Sequence, residues 1–218
     1  MSTAALDKPR SQAASYARGR LGSILAVVPL GAWTVLHLWN NLAVFRGGQA
    51  WEEAVTHHAH PLAQFVTAVL VMVPLLIHAA WGLSRLRGSR PNTRNTLTFF
   101  GNLKYVLQRL SALGLLAFLG AHLWLAMLQP RLMEGHAEFF TDIAHEMHHH
   151  GPTLVVYLLG TLAVSYHLAN GLATFAMGFG IVSSQHALKK VDVLSYALFV
   201  VFIVMSWTGI YGLYAAGA

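Results

Sequence analysis

Pro61-Leu62-Ala63-Gln64-Phe65-Val66-Thr67-Ala68-Val69-Leu70-Val71-Met72-Val73-Pro74-Leu75-Leu76-Ile77-His78-Ala79-Ala80-Trp81-Gly82-Leu83-Ser84-Arg85-Leu86 is apolar almost throughout, has its one basic residue, Arg85, at the far end, and holds a histidine deep inside. At about 1.5 Å of rise per residue, a helix of this length crosses the roughly 30 Å of hydrocarbon in a bilayer. Four further apolar runs accompany it, at residues 21–45, 105–129, 152–181 and 193–216. In lipid the backbone has no water to bond, so each run must satisfy its own hydrogen bonds as a helix. The expected fold is an all-α membrane protein of five transmembrane helices. Residues 1–20 form a basic segment ahead of it, and residues 21–218 form a single membrane domain.

Composition points the same way. Of 218 residues, 56% are hydrophobic and 10% charged, where a soluble domain carries about 25% charged. That is too little charge for an ordinary water-facing surface. The absence of cysteine excludes disulfides, iron–sulfur clusters held by this chain, and thioether-linked haem, which needs C-x-x-C-H. Thirteen histidines are a first sign of metal or haem chemistry. The segment before the first run is polar, lacks an obvious small-residue cleavage site, and leads into an apolar stretch longer than that of a signal peptide. The first run is therefore expected to be a retained helix.

The placement of charge sets the orientation. Lys8, Arg10, Arg18 and Arg20 precede the first run; Arg85, Arg87, Arg90, Arg94, Lys104 and Arg109 flank the second connection; Lys189 and Lys190 lie in the fourth. The other side has only Arg46 and Arg131, with Glu52, Glu53, Glu134, Glu138, Asp142 and Glu146. The positive-inside rule puts the N-terminus in the cytoplasm and the C-terminus outside. The net charge of +6 thus reflects topology, and no nucleic-acid partner is expected. Pro29 and Pro74 are expected to kink their helices, while Pro61 and Pro152 open theirs, where proline is tolerated. Residues 131–150 are expected to form an amphipathic segment on the outer surface.

One histidine falls on each of the first four runs: His37, His78, His122 and His167. An ionisable group inside a membrane is costly and points to function. Depth is decisive. His37 lies 16 residues into a run that starts inside, roughly 24 Å along, and His122 reaches a similar outer depth. His78 and His167 sit on runs that start outside, so both lie toward the cytoplasm. The four resolve into an outer pair, His37 with His122, and an inner pair, His78 with His167. Two facing imidazoles form the axial ligand set of a six-coordinate haem, so the first four runs read as a di-haem four-helix bundle binding two b haems. Gly82, Ala126 and Gly171 stand one turn beyond three of the histidines, where small residues leave room for a porphyrin; Asn41 takes that place in the first run. Haem propionates are anionic, and Arg20, Ser23 and Arg109 are candidates to meet those of the inner haem.

Other patterns compete for attention. His145-Glu146-Met147-His148-His149 matches H-E-x-x-H, but a zinc site needs a third ligand, for which His57, His58 and His60 are the nearest companions, and a solvated polar loop open to adventitious metal explains the cluster. Trp33, Trp39, Trp81, Trp124 and Trp207 could line a cofactor or serve as interfacial and packing residues.

The spaced set Arg20-Leu21-Gly22-Ser23, Leu36-His37-Leu38, Ile77-His78-Ala79-Ala80-Trp81-Gly82, Leu107-Gln108-Arg109-Leu110, Ala121-His122-Leu123-Trp124 and His167-Leu168-Ala169-Asn170-Gly171-Leu172 carries a resemblance. The chain resembles the cytochrome b membrane-anchor subunit of succinate dehydrogenases (succinate:menaquinone reductases) and of their fumarate reductase relatives, in the single-subunit, five-helix, two-haem form. The resemblance implies His78 and His167 as ligands of the haem nearer the cytoplasm, and His37 and His122 as ligands of the distal one. It implies a bacterial cytoplasmic membrane and two soluble partners on the cytoplasmic face. One is a flavoprotein with covalent FAD, where succinate and fumarate interconvert; the other is an iron–sulfur protein. The electron acceptor it implies is menaquinone, and a higher oligomer of the complex is compatible with it. Some relatives carry a glutamate two residues before the fourth ligand; here that residue is Ser165, so a proton path of that kind is not expected.

A quinone site needs hydrogen-bond donors near a haem edge and access to lipid. The outer side offers Asn40, Asn41, Glu53, His57 and His58, and the expected site uses Asn40, Asn41, Glu53 and His58. Two alternatives remain. One is a haem b subunit of a hydrogenase or formate dehydrogenase, or a cytochrome b561-like oxidoreductase. The other is a haem-free transporter or proton channel that uses histidine.

Overall fold

The structure, a computed structural model, describes residues 20–56, 61–86, 88 and 99–218. Residues 1–19, His57, His58, His60, Arg87, Arg90 and Arg94 lie outside the described residues.

Five helices are long and apolar enough to cross a membrane, and the described residues contain no strand. α1 spans Arg20–Arg46. A short helix, α2 (Gly48–Val55), follows it, and then α3 (Pro61–Leu86). α4 spans Asn102–Glu134. α5 (Phe140–His149) is a second short helix, and α6 (Gly151–Gly178) and α7 (Gln185–Ala216) complete the chain. Large apolar side chains are exposed along every span, among them Leu36, Phe65, Leu76, Leu110, Leu159 and Val204. A lipid surface accommodates such a belt, and water does not.

The helices are regular except where their sequence forbids it. Pro29 has no N–H to give, and α1 widens around it into turns over Ala26–Gly31, as proline-disrupted ladders do. Pro74, in contrast, sits within the uninterrupted α-helix of α3. α1 tightens over Leu42–Arg46 and stops at Gly47, whose φ of 101° suits glycine. α4 is α-helical to Leu123 and continues in wide turns over Trp124–Leu128 and Pro130–Glu134.

Packing is uneven. α6 lies closely against α4 and α7. Gly160 of α6 receives the Phe118 ring, which a Cβ there would overlap, and Ser195 Oγ of α7 donates to Ala169 O at 2.9 Å. α3 packs chiefly on the Ala26–Gly31 turn of α1, and none of its most apolar window is buried.

The end of the bundle where α1 finishes and α6 begins is closed by α2 and α5. Trp51 of α2 is buried and its Nε1 donates to Asn41 Oδ1 at 3.2 Å. Glu52 Oε1 accepts from Phe140 N, at the start of α5, at 2.7 Å. α5 buries Ile143, Ala144 and Met147 on one face, mainly against α7. Of the amphipathic segment expected at residues 131–150, Phe140–His149 forms a helix whose apolar face meets protein, while residues 131–134 continue α4.

Candidate functional site

The structure brings together both expected histidine pairs. The His37 and His122 rings have centroids 5.9 Å apart, inclined at 66°. Those of His78 and His167 are 6.3 Å apart at 67°. Imidazole nitrogen binds a first-row metal at about 2 Å and lies roughly 1.1 Å from its ring centre, so two trans imidazoles on one ion have centroids roughly 6 Å apart. Both pairs fit that spacing. Among the described residues no three histidines, aspartates or glutamates converge on a metal site. A donor set of two suits a porphyrin iron, whose macrocycle provides the other four nitrogens.

Each ring is held by a neighbour. Gly22 O accepts from His78 Nδ1 at 3.0 Å. This contact needs glycine, because a Cβ at Gly22 would overlap the Trp81 ring. His122 Nδ1 lies 3.1 Å from Tyr157 Oη, with Phe118 stacked on the imidazole at 5.4 Å. Gln108 Nε2 donates to His167 O at 3.1 Å and lies 3.2 Å from His167 Nδ1. Gln108 is itself fixed by Asn170 Nδ2, which donates to its Oε1 at 2.7 Å. His37 meets the edge of Trp33 at 4.6 Å, and Asn41 Nδ2 lies 3.4 Å from its Nε2.

The small residues expected beside the ligands have mixed surroundings. A Cβ at Gly82 would meet no atom within 4 Å, and one at Gly171 would meet only Gln108 Nε2, at 3.6 Å. Ala126 is half-buried. Of the five tryptophans considered as cofactor-lining, Trp33 and Trp81 touch the paired histidines, while Trp39, Trp124 and Trp207 are exposed.

Two of the three propionate candidates adjoin residues that bond the His78/His167 pair. Ser23 follows Gly22, which bonds His78, and Arg109 follows Gln108, which bonds His167. The Arg109 guanidinium lies over the Tyr105 ring at 3.3 Å and donates to Tyr105 O at 3.1 Å. Arg20 approaches Phe179 with its guanidinium carbon 4.9 Å from the ring centre.

The outer polar candidates are engaged in structure. Asn40 Nδ2 donates to Ala54 O at 3.0 Å, tying α1 to α2. Asn41 Nδ2 donates to His37 O at 2.9 Å. Glu53 is exposed and accepts from Gln49 at 3.0 Å. Ser165 is fully buried with its hydroxyl on Thr161 O at 2.7 Å.

The outer histidine cluster has a structural role. Glu146 Oε1 accepts from Thr153 Oγ1 at 2.7 Å and lies 2.9 Å from His150 Nδ1, joining α5 to the start of α6. His148 Nδ1 donates to Tyr214 O at 2.9 Å.

Phe118 and Tyr157 escaped the sequence reading, and Gly22 entered it only as part of a motif. A signal existed for Gln108, noted only as part of a motif. It lies fourteen residues before His122, close to four helical turns, hence on nearly the same face.

The family model described as succinate dehydrogenase/fumarate reductase transmembrane subunit matches residues 90–206, more than half of the chain. The succinate dehydrogenase cytochrome b558 subunit of Bacillus subtilis (strain 168) is 25% identical over 197 residues, covering 90% of this chain and 94% of that protein. No solved structure matches. With five membrane-spanning helices and a family match that takes in two of the four intramembrane histidines, the chain belongs to the succinate dehydrogenase/fumarate reductase transmembrane subunits.

Proposed function

We propose that this chain is the cytochrome b membrane subunit of a succinate dehydrogenase or fumarate reductase, carrying electrons between an iron–sulfur subunit and membrane menaquinone. The observation that carries the reading is the meeting of four histidines in two pairs, 5.9 Å and 6.3 Å apart, within the membrane spans. The similarity to a cytochrome b558 subunit over nearly the whole chain supports haem b as the cofactor.

His37 and His122 would hold the outer haem, and His78 and His167 the inner one. Held by two histidines, each haem would supply one-electron transfer. The chain's own part is to hold and to insulate. Gly22, Gln108 and Tyr157 fix the rotation of three ligand rings. Arg20, Ser23 and Arg109 supply positive charge and a hydroxyl at the inner level. α2 and α5 close the outer end through the Glu52–Phe140 hydrogen bond, which limits water around the outer pair.

The basic face supports a cytoplasmic N-terminus in a bacterial membrane, with that face turned toward the iron–sulfur and flavoprotein subunits. FAD and the iron–sulfur clusters belong to those partners, and this chain does no dicarboxylate chemistry. The quinone site falls on the outer side, where Asn40 and Asn41 line the end of α1. Glu53 or His58 exchanges the quinone proton with water, because both side chains can take up and release one.

A reduced-minus-oxidised spectrum with a haem count on the purified chain tests this. Bis-imidazole b-type bands and two haems per chain are expected. A colourless chain after expression with ample haem would leave a histidine-based transporter. Co-purification of a flavoprotein with covalent FAD distinguishes this subunit from those of hydrogenase or formate dehydrogenase.

A further inference from the structure

We propose that Tyr157 is the positioning residue of His122, and that its hydroxyl lowers the reduction potential of the outer haem by accepting the imidazole's hydrogen bond. This inference rests on the reading of His37 and His122 as axial ligands. Tyr157 is buried on α6, with Oη 3.1 Å from Nδ1 of His122 on α4. The two residues share an aromatic cluster. Phe118 meets Tyr157 edge-on at 5.3 Å and stacks on His122 at 5.4 Å. Gly160, one turn from Tyr157, admits the Phe118 ring. Rotation of the imidazole is thus restrained by packing on one side and by the phenol on the other.

Chemistry then assigns the direction of the bond. An imidazole that binds iron through Nε2 keeps its proton on Nδ1 and needs an acceptor there. Tyr157 Oη is placed to be that acceptor. His37, the other outer ligand, has a different neighbour. Asn41 presents its amide nitrogen, a donor, 3.4 Å from His37 Nε2, the nitrogen that would face the iron, while Asn41 Oδ1 accepts from Trp51 Nε1 at 3.2 Å, and among the described residues no hydrogen bond reaches His37 Nδ1. The outer pair is therefore asymmetric: the side-chain acceptor stands on His122. An acceptor on Nδ1–H makes the imidazole a stronger electron donor, which favours ferric over ferrous iron.

Tyr157→Phe removes the acceptor and keeps the ring. Redox titration of the complete complex in membranes, followed at the b-type absorbance bands, reads the effect. The outer haem should titrate at a more positive potential. Its reduced-to-oxidised ratio at fixed poise should rise roughly three- to tenfold, tenfold being about 59 mV for one electron. The inner haem serves as internal control and should not move. Phe118→Leu keeps the hydroxyl and removes the ring packing, so a smaller shift is expected from it. Loss of the outer haem in Tyr157→Phe with retention in Phe118→Leu would also support the polar role. Unchanged potentials in Tyr157→Phe with both haems present would overturn the proposal, as would equal shifts or equal haem loss in the two variants. A wild-type complex with fewer than two haems would instead overturn the axial-ligand reading.

Discussion

In the proposed reading one imidazole on each side anchors each haem, so losing either should empty one site and spare the other. His78→Ala or His167→Ala is expected to halve the haem content by removing the inner haem, and His37→Ala or His122→Ala by removing the outer one. A haem count with low-temperature difference spectra reads which band disappears; two haems in any of these variants would contradict the pairing. The pairing was legible in the sequence because it needs only a constant rise per residue and the direction of each run. The residues that orient the rings were less so. Gly22 acts on His78 across 56 positions and Tyr157 on His122 across 35. Such contacts depend on how helices rotate against each other, and helices that are apolar all round carry little periodicity to reveal it. Gly22 supplies its own test. A Cβ at that position would overlap the Trp81 ring, and overpacking of this kind costs about 1–3 kcal/mol. Gly22→Ala should therefore lower inner-haem occupancy and the thermal midpoint while the outer haem stays. Wild-type values for both would show that α1 and α3 need not approach so closely.

The elements were legible where lipid dictates them and less so where water does. The expected run 193–216 is only the apolar part of α7, which begins at Gln185 with Ser184 Oγ accepting from Ala187 N at 3.2 Å. Its first turns include His186, Lys189 and Lys190, residues that hydropathy assigns to a loop and helix capping does not. α4 likewise runs to Glu134, past Pro130, because its last turns widen around the proline. α5 shows the limit of pattern reading. Its histidines resemble a catalytic motif, yet the residue that anchors it is Met147, fully buried within that motif. Met147→Ala should cost about 2–5 kcal/mol, as truncation of a buried side chain does, and should lower the thermal midpoint of the purified subunit. His145→Ala, on the exposed face of α5, should leave that midpoint and the haem content unchanged. An equal loss from both would mean that the histidine face carries the docking.

Orientation is a property of the whole molecule, because it follows from the sum of charges on each side and from no single contact. Twelve basic residues lie on one face of the expected topology and two on the other. Two ion pairs stand at opposite ends of the bundle, Lys104 with Asp192 at 2.8 Å and Arg131 with Glu138 at 2.7 Å. In the proposed orientation, which follows the positive-inside rule, the Lys104 end faces the cytoplasm and the Arg131 end faces out. The absence of cysteine makes this direct to examine, since any introduced thiol is the only one in the chain. Glu134→Cys, on the exposed outer turn, should react with a membrane-impermeant maleimide in spheroplasts. Lys190→Cys, exposed at the start of α7, should react only after permeabilisation. The reverse pattern would invert the topology. The His78/His167 pair would then be the outer one, the soluble partners would dock beside α2 and α5, and the electron path would run the other way through the same four histidines.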